Sequence, residues 1–404
     1  MKTKLSRALV CAVVFAIIAS TSIAANEIGA MWARLYRNAP TNEQRYQIMV
    51  NMIEQDSRDL APVFHEALDG QITRFQSITG TTERHVANRL AAMTIRELGN
   101  RRVTDAADSI WNMLQINHDV VVMSEAANAL GRIGAAQYAP RLATFLRNMN
   151  LGVSVLSDRR QIEAVAYNTV KALERLGDPA GFEPVFLAAH GWYSAGSGVR
   201  AAALDALPII VDDPTDILTE IIKNQNDIAM KISALNVGTK SRASDENKAE
   251  FAAWALDHAL SLTWSSRTEQ AKLKSLRMTA LSALRASAHK PDRAIARMAE
   301  MIRGYRADRL YDEDEMLTLI ETMGSFPQDS SARALSGFLG YQTERRERDV
   351  IPETLTIPRA TAIALGNTRN RIGIEQLNAA ANSTAWEASV RKEARDAVER
   401  ILRR

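Results

Sequence analysis

A chain of 404 residues with a formal net charge of +3, 24% charged side chains and one cysteine has neither the basic excess of a nucleic-acid binder nor the cysteine density of a disulfide scaffold. Proline (11) and glycine (19) are sparse and aromatics make up 6%. Alanine and leucine are used heavily, which favours helix from end to end.

The first 25 residues, MKTKLSRALVCAVVFAIIASTSIAA, read as a signal peptide. Lys2, Lys4 and Arg7 form a positive start, Ala8 to Ala19 is an uncharged apolar run, and small residues at 22–25 place cleavage near Ala24 or Ala25. The run is shorter than the roughly 20 residues that span a bilayer. Cys11 lies inside that run behind Val10, not behind the small residue a lipid-modified cysteine requires. The expected product is a periplasmic or secreted protein. It has no integral membrane segment, no cysteine and a charge close to zero, because the signal carries three of the positive charges. Thiol chemistry and cysteine-ligated metals are thereby excluded, and no nucleic-acid partner is expected.

Residues 26–404 read as a single array of helical repeats. Val122, Ala126, Ala129, Leu130 and Ile133 fall at offsets 0, 4, 7, 8 and 11, one face of a helix, and Gly134 closes it. Val165, Thr169, Ala172, Leu173 and Leu176 repeat that register before Gly177. Val199, Ala203, Ala206, Leu207 and Ile210 follow, then Leu276, Ala280, Ala283 and Leu284, and finally Val390, Ala394, Ala397, Val398 and Ile401. Weaker copies start near Arg45, Ala87, Asp227, Asp312 and Ile357. A second amphipathic segment follows most copies, as in 135–149, 180–190, 214–223, 248–260, 291–302 and 331–339, with Pro179, Pro214 and Pro291 at helix starts. Small residues at offsets 4 and 7 let neighbouring backbones approach, and the larger residues at 8 and 11 fill the core that stacking completes. The fold expected is all-α: a right-handed α-solenoid of about nine stacked antiparallel helix pairs plus a C-terminal capping helix in 386–404.

The pairs Val199-Arg200 with Ala203, Ala206 and Leu207, Val390-Arg391 with Ala394 and Ala397, and the ending Leu130-Gly131-Arg132-Ile133-Gly134 carry a resemblance. The chain resembles the HEAT-repeat superfamily, most closely the short bacterial repeats of the phycobilin-lyase type, over residues from about 40 to the end. The resemblance implies a curved solenoid that acts mainly by binding, and it implies no reaction.

The stretch GWYSAGSGVR, 191–200, brushes two catalytic motifs. Gly191 and Gly196 have phosphate-loop spacing, but Ser197-Gly198 stands where Lys-Ser is required, and a helix precedes it instead of a strand. Ser194 is one position late for a nucleophile elbow. The stretch therefore reads as a turn between repeats. Trp192 and Tyr193 pack over the joint or stand out as a partner contact, and backbone N–H groups before the next helix could favour an anion. The six histidines lack metal-ligand spacing, and His65 and His258 read as helix-surface residues. Asp312 to Glu315 lack the calcium-loop alternation and read as acids opening a helix.

Three longer connections are expected, 150–158, 236–247 and 341–358, the last carrying Tyr341, Arg345 and Arg346. With Trp192, Tyr193 and Arg200 these are the candidate partner-binding residues. No catalytic, cofactor or metal set emerges. The leading functional reading is an exported, non-enzymatic scaffold or adaptor for a protein partner in the cell envelope. The alternative is a helical-repeat enzyme or a ligand-handling protein, for a small molecule or a glycan, with a site assembled from distant repeats.

Overall fold

The computed structural model describes residues 27–308, 311–348 and 354–403; the expected signal segment, 1–25, lies outside them. Twenty α-helices and no strand occur among the described residues. The chain divides into two compact units, one ending at Val211 and the other starting at Asp212.

The first unit holds α1 (27–38), α2 (Asn42–Glu54), α3 (Ala61–Phe75), α4 (Thr81–Asn100), α5 (Ala107–Ile116), α6 (Val120–Ile133), α7 (Ala139–Asn150), α8 (Arg159–Leu176), α9 (Phe182–His190) and α10 (Val199–Ile210). The even-numbered helices α2 to α10 pack side by side, and among the odd-numbered ones α3 packs on α5 and α7 on α9. The offsets read from the sequence are those the core uses: Val122, Ala126, Ala129, Leu130 and Ile133 are all buried, as are Val199, Ala203, Ala206, Leu207 and Ile210. Gly134 (φ 78°) and Gly177 (φ 61°) end α6 and α8 in the left-handed conformation, which glycine adopts without a Cβ penalty.

The second unit holds α11 (Thr215–Asn224), α12 (Ile228–Lys240), α13 (Asp245–Ser261), α14 (Arg267–Ala286), α15 (Asp292–Asp308), α16 (Glu313–Gly324), α17 (Asp329–Glu347), α18 (Thr356–Asn367), α19 (Ile374–Asn382) and α20 (Ala388–Leu402). Here α12, α14, α16, α18 and α20 form one packed row, and α11, α13, α15, α17 and α19 the other. Buried Val390, Ala394, Ala397 and Ile401 seat α20 against α18 and α19.

The close approach expected at offset 7 is present, and it has a second half on the facing helix. Gly131 lies against Ala172, Gly99 against Ala129, Gly324 against Ala364 and Gly366 against Ala397. In α4, α6, α16 and α18 a glycine near the end of the helix thus meets the offset-7 alanine of the next helix in its row. An arginine at offset 10 ties the same neighbours together: Arg175 reaches Asn128 at 2.5 Å, Arg400 reaches Asn367 at 3.0 Å, and Arg132 bonds Asn100.

Two expected connections are helical instead. The segment 236–247 narrows to residues 241–244, because α12 continues to Lys240 and Ser244 caps α13 by accepting from the Asn247 N–H at 3.1 Å. The segment from Tyr341 is the last part of α17, which runs to Glu347. The mixed charges there are i,i+4 helix pairs, Tyr341 with Arg345 and Glu344 with Arg348. Residues 349–353 lie outside the described residues. The connection from Asn150 to Asp158 is a loop, as expected.

Candidate functional site: paired loops on the first unit

The loops 151–158 and 191–198 are joined by side chains that the intervening helices α8 and α9 hold in place. Asn150, the last residue of α7, is the hub. Its carbonyl accepts from Trp192 Nε1 at 3.1 Å, its Oδ1 accepts from the Tyr193 hydroxyl at 2.8 Å, and its Nδ2 donates to the Pro184 carbonyl at 2.8 Å. Glu163 on α8 is 6% exposed. It accepts from both the Ser194 N–H (2.6 Å) and the Ser194 hydroxyl (2.9 Å). The Arg159 guanidinium lies 4.8 Å from the Trp192 ring centroid, donates to the Trp192 carbonyl, and stands 3.7 Å from Glu163. Burial, and then the Glu163 charge, push the Tyr193 hydroxyl well above its ordinary pKa.

This arrangement decides between the two readings of Tyr193 and accounts for one of the backbone N–H groups before α10. Tyr193 is 2% exposed, so it is a joint residue and not half of an exposed aromatic pair; Trp192 is half-buried beside it. The Ser194 backbone N–H does not wait for an external anion, because the Glu163 carboxylate already occupies that role. Ser194 likewise has no histidine to receive its proton; its hydroxyl donates to the same carboxylate. Arg200 at the start of α10 donates from Nε to the Ala189 carbonyl at 3.2 Å and clamps α9 to α10.

Above this anchored base the loop 151–158 turns its apolar residues outward. Leu151 is 71% exposed, Val153 62% and Val155 61%, while Leu156 folds back into the core. Gly152 (φ 75°) allows the turn out of α7, and Asp158 caps α8 by accepting from the Arg160 N–H at 2.7 Å. At the start of α8 lies an open cleft of about 570 Å³ lined by Asp158, Arg159, Arg160, Glu163 and Ser194. The Arg160 side chain is exposed there and has no protein partner among the described residues. The connection was legible in the sequence, but the outward alternation of Leu151, Val153 and Val155 was not singled out, although three aliphatics at every second residue of a loop are a readable signal.

The second set of candidates, all half-buried, makes contacts within the second unit. Tyr341 is faced by the Arg306 guanidinium at 4.1 Å and accepts from Arg345 at 2.9 Å. Arg346 donates to the Ala385 carbonyl at 2.9 Å and to Glu387 at 3.2 Å, and next to it Trp386 donates to the Thr343 hydroxyl at 3.2 Å. These contacts seat the segment before α20 on α17.

Other chemistry-bearing groups converge only in three dimensions. Ser109 on α5 donates to Asp69 at 2.5 Å, and His65 Nε2 lies 3.2 Å from the same hydroxyl. The residue types suggest a catalytic relay, but the serine proton goes to the carboxylate, and Asp69 stands 3.8 Å from Nε2, not on the far ring nitrogen that would orient a base. Of the acids opening α16, Asp312 is the cap, accepting from the Glu315 N–H at 3.1 Å. Glu315 is buried in a two-point ion pair with Arg277 at 2.5 and 3.2 Å. Among the described residues no group of three or more His, Cys, Asp or Glu could hold a metal ion, and no helix is long and apolar enough to cross a membrane.

Residues 124–148, covering most of α6 and α7, match the PBS lyase HEAT-like repeat. No curated protein matches the chain. Among solved structures, human deoxyhypusine hydroxylase in complex with glycerol is 18% identical with a TM-score of 0.28, over 85% of this chain and 99% of that one. A crystal structure of an engineered protein is 17% identical with a TM-score of 0.34, over 92% and 98%. The chain is thus an all-helical protein that contains a HEAT-like repeat at residues 124–148.

Proposed function

We propose that this chain is an exported, non-enzymatic scaffold that holds a protein partner in the cell envelope, and that the first unit makes the contact through the ridge Leu151, Val153 and Val155. The observation that carries the reading is that ridge: three large aliphatic side chains turned outward on a loop whose base is tied down by Asn150, Trp192, Arg159 and Glu163. Adjacent exposed apolar residues mark interaction sites more than isolated ones do. A loop already held in place loses less conformational entropy on binding. Tyr193, Tyr341, Arg345 and Arg346 fasten parts of this scaffold to one another, and the exposed Arg200 ties α10 to α9. Export rests on the positive start, apolar run and small-residue cleavage site at residues 1–25.

The test is a crosslinked isolation from the native cell envelope with the wild type and with a Leu151→Ser/Val153→Ser/Val155→Ser variant. Each change lies on the surface and should alter stability by no more than about 0.5 kcal/mol. The expected result is one envelope protein captured by the wild type and lost with the variant, on a mature chain whose N-terminus follows Ala24 or Ala25. Capture of the same protein by both forms, or an unprocessed cytoplasmic chain, would refute the proposal.

A further inference from the structure

In the second unit one buried cation breaks the repeat register. Counting from Asp227, Lys231 falls at offset 4, where the strongest copies carry Ala126, Thr169, Ala203, Ala280 and Ala394. It is 4% exposed, and no carboxylate meets it. Its Nζ donates to the Ile222 carbonyl at the end of α11 and lies 3.1 Å from Nε2 of His258 on α13. Trp254, one turn earlier on α13, stacks on the His258 ring at 5.2 Å and 12°, and Lys223 lies 5.8 Å from the Trp254 ring.

An ammonium has only donors, so beside it Nε2 must accept, and the imidazole is neutral with its proton on Nδ1. If the ring were the donor instead, the amine would have to be neutral. The pair therefore accommodates one positive charge and not two. The charged groups that bear on His258 come from each neighbour. They are Lys231 on α12, Lys223 on α11 and Asp257 on its own helix, whose carboxylate is held by Arg297 of α15 at 2.5 Å. On α14, Lys274 and Arg277 turn to Asp312 and Glu315, and Lys272 stands 3.9 Å from Asp227. Of these charges Lys231 acts most strongly on the ring and disfavours its protonation, Asp257 opposes it, and Lys223 acts with Lys231.

We propose that Lys231 and His258 form an acid-sensitive latch that holds α11, α12 and α13 together while the pair carries one charge and loosens them when a second proton is forced on it. Burial, and then the Lys231 charge, hold the folded His258 below the ordinary imidazole pKa, and burial holds Lys231 below the ordinary amine pKa. In each case the unfolded group binds its proton more readily than the folded one. For His258 the packing is fully present above about pH 6.5 and is lost as pH falls from there through the folded value. Lys231 acts in the same direction, favouring the packed form at higher pH. The latch is independent of the ridge on the first unit.

The experiment follows the full-length protein from pH 7.5 to 5 by two readouts, the titration of the His258 ring signals in NMR and amide hydrogen exchange of peptides from 215–261 corrected for intrinsic rate. The wild type should titrate His258 below the ordinary histidine range. Its 215–261 exchange should rise in acid, by about tenfold for each unit of separation between the folded and unfolded pKa, while peptides of α18 to α20 stay unchanged. Lys231→Met should move His258 up towards the ordinary value and flatten the exchange profile. His258→Gln keeps an acceptor near Nε2 and removes the titration, so it should flatten the profile as well; it carries the test alone if Lys231→Met does not fold. An ordinary His258 titration in the wild type, or an acid rise in exchange that both variants retain, overturns the latch.

Discussion

Replacing glycine by alanine should have opposite signs at two helical positions of this protein. On α17, Gly337 is exposed, and an added Cβ would meet nothing within 4 Å. Gly337→Ala therefore gains helix propensity and nothing opposes it, a stabilisation of about 0.5–1 kcal/mol. On α6, a Cβ at Gly131 would stand 2.6 Å from Ala172 Cα, 3.0 Å from its Cβ and 3.2 Å from its carbonyl oxygen. Two of those three atoms are backbone, so no rotamer change relieves the clash and α6 must move away from α8. Overpacking of this kind costs about 1–3 kcal/mol, and the rigid partner puts Gly131→Ala at the upper end. Net of the propensity gain, a loss of about 1–2 kcal/mol remains. For units of this size, each kcal/mol shifts the melting temperature by roughly 2–4 °C. Thermal unfolding followed by circular dichroism should show a transition lowered by roughly 2–8 °C for Gly131→Ala and one raised by roughly 1–4 °C for Gly337→Ala. Gly366→Ala, whose Cβ would stand 2.7 Å from that of Ala397, should behave like Gly131→Ala. A neutral or stabilising Gly131→Ala would mean that α6 and α8 do not meet at this point, and the account of why alanine recurs at offset 7 would fail.

Two further outcomes follow from buried carboxylates. Glu163→Ala removes both acceptors of Ser194 and should cost about 1.5–3 kcal/mol, the range for hydrogen bonds to a charged group. Limited proteolysis should open the chain within 191–198, with unchanged cleavage there refuting the anchoring role. In the second unit, Arg277→Met leaves Glu315 buried without its cation and should cost about 3–5 kcal/mol. The double variant Arg277→Met/Glu315→Leu should recover most of that loss in urea unfolding, and a double variant as unstable as the single one would show that the two residues do not act as a pair.

The even-numbered helices were legible because a common set of apolar offsets recurs along them, most fully in α6, α8, α10, α14 and α20 and more weakly in the others, and a register repeated along a chain is visible without knowing what packs on what. Loop 150–158 was legible from its lack of that register. The error at Tyr341–Arg346 came from reading a charge run as solvated loop, when the spacing of Tyr341 to Arg345 and Glu344 to Arg348 is that of neighbours on one helix face. The partnerships of Glu163 with Ser194, Ser109 with Asp69 and Lys231 with His258 were not legible. Their members are 31, 40 and 27 residues apart, distances set by repeat length rather than by any local period. Half of the last pairing was nonetheless written in the sequence. In an array whose offset-4 positions are buried alanine or threonine, a lysine there must be buried, and a buried lysine must find an acceptor. The departures from a repeat register are therefore where individual chemistry is to be sought. Lys231 at offset 4 and the outward-facing Leu151, Val153 and Val155 in a loop without register depart from it in opposite ways, one by burying a charge and the other by exposing what the repeats would bury.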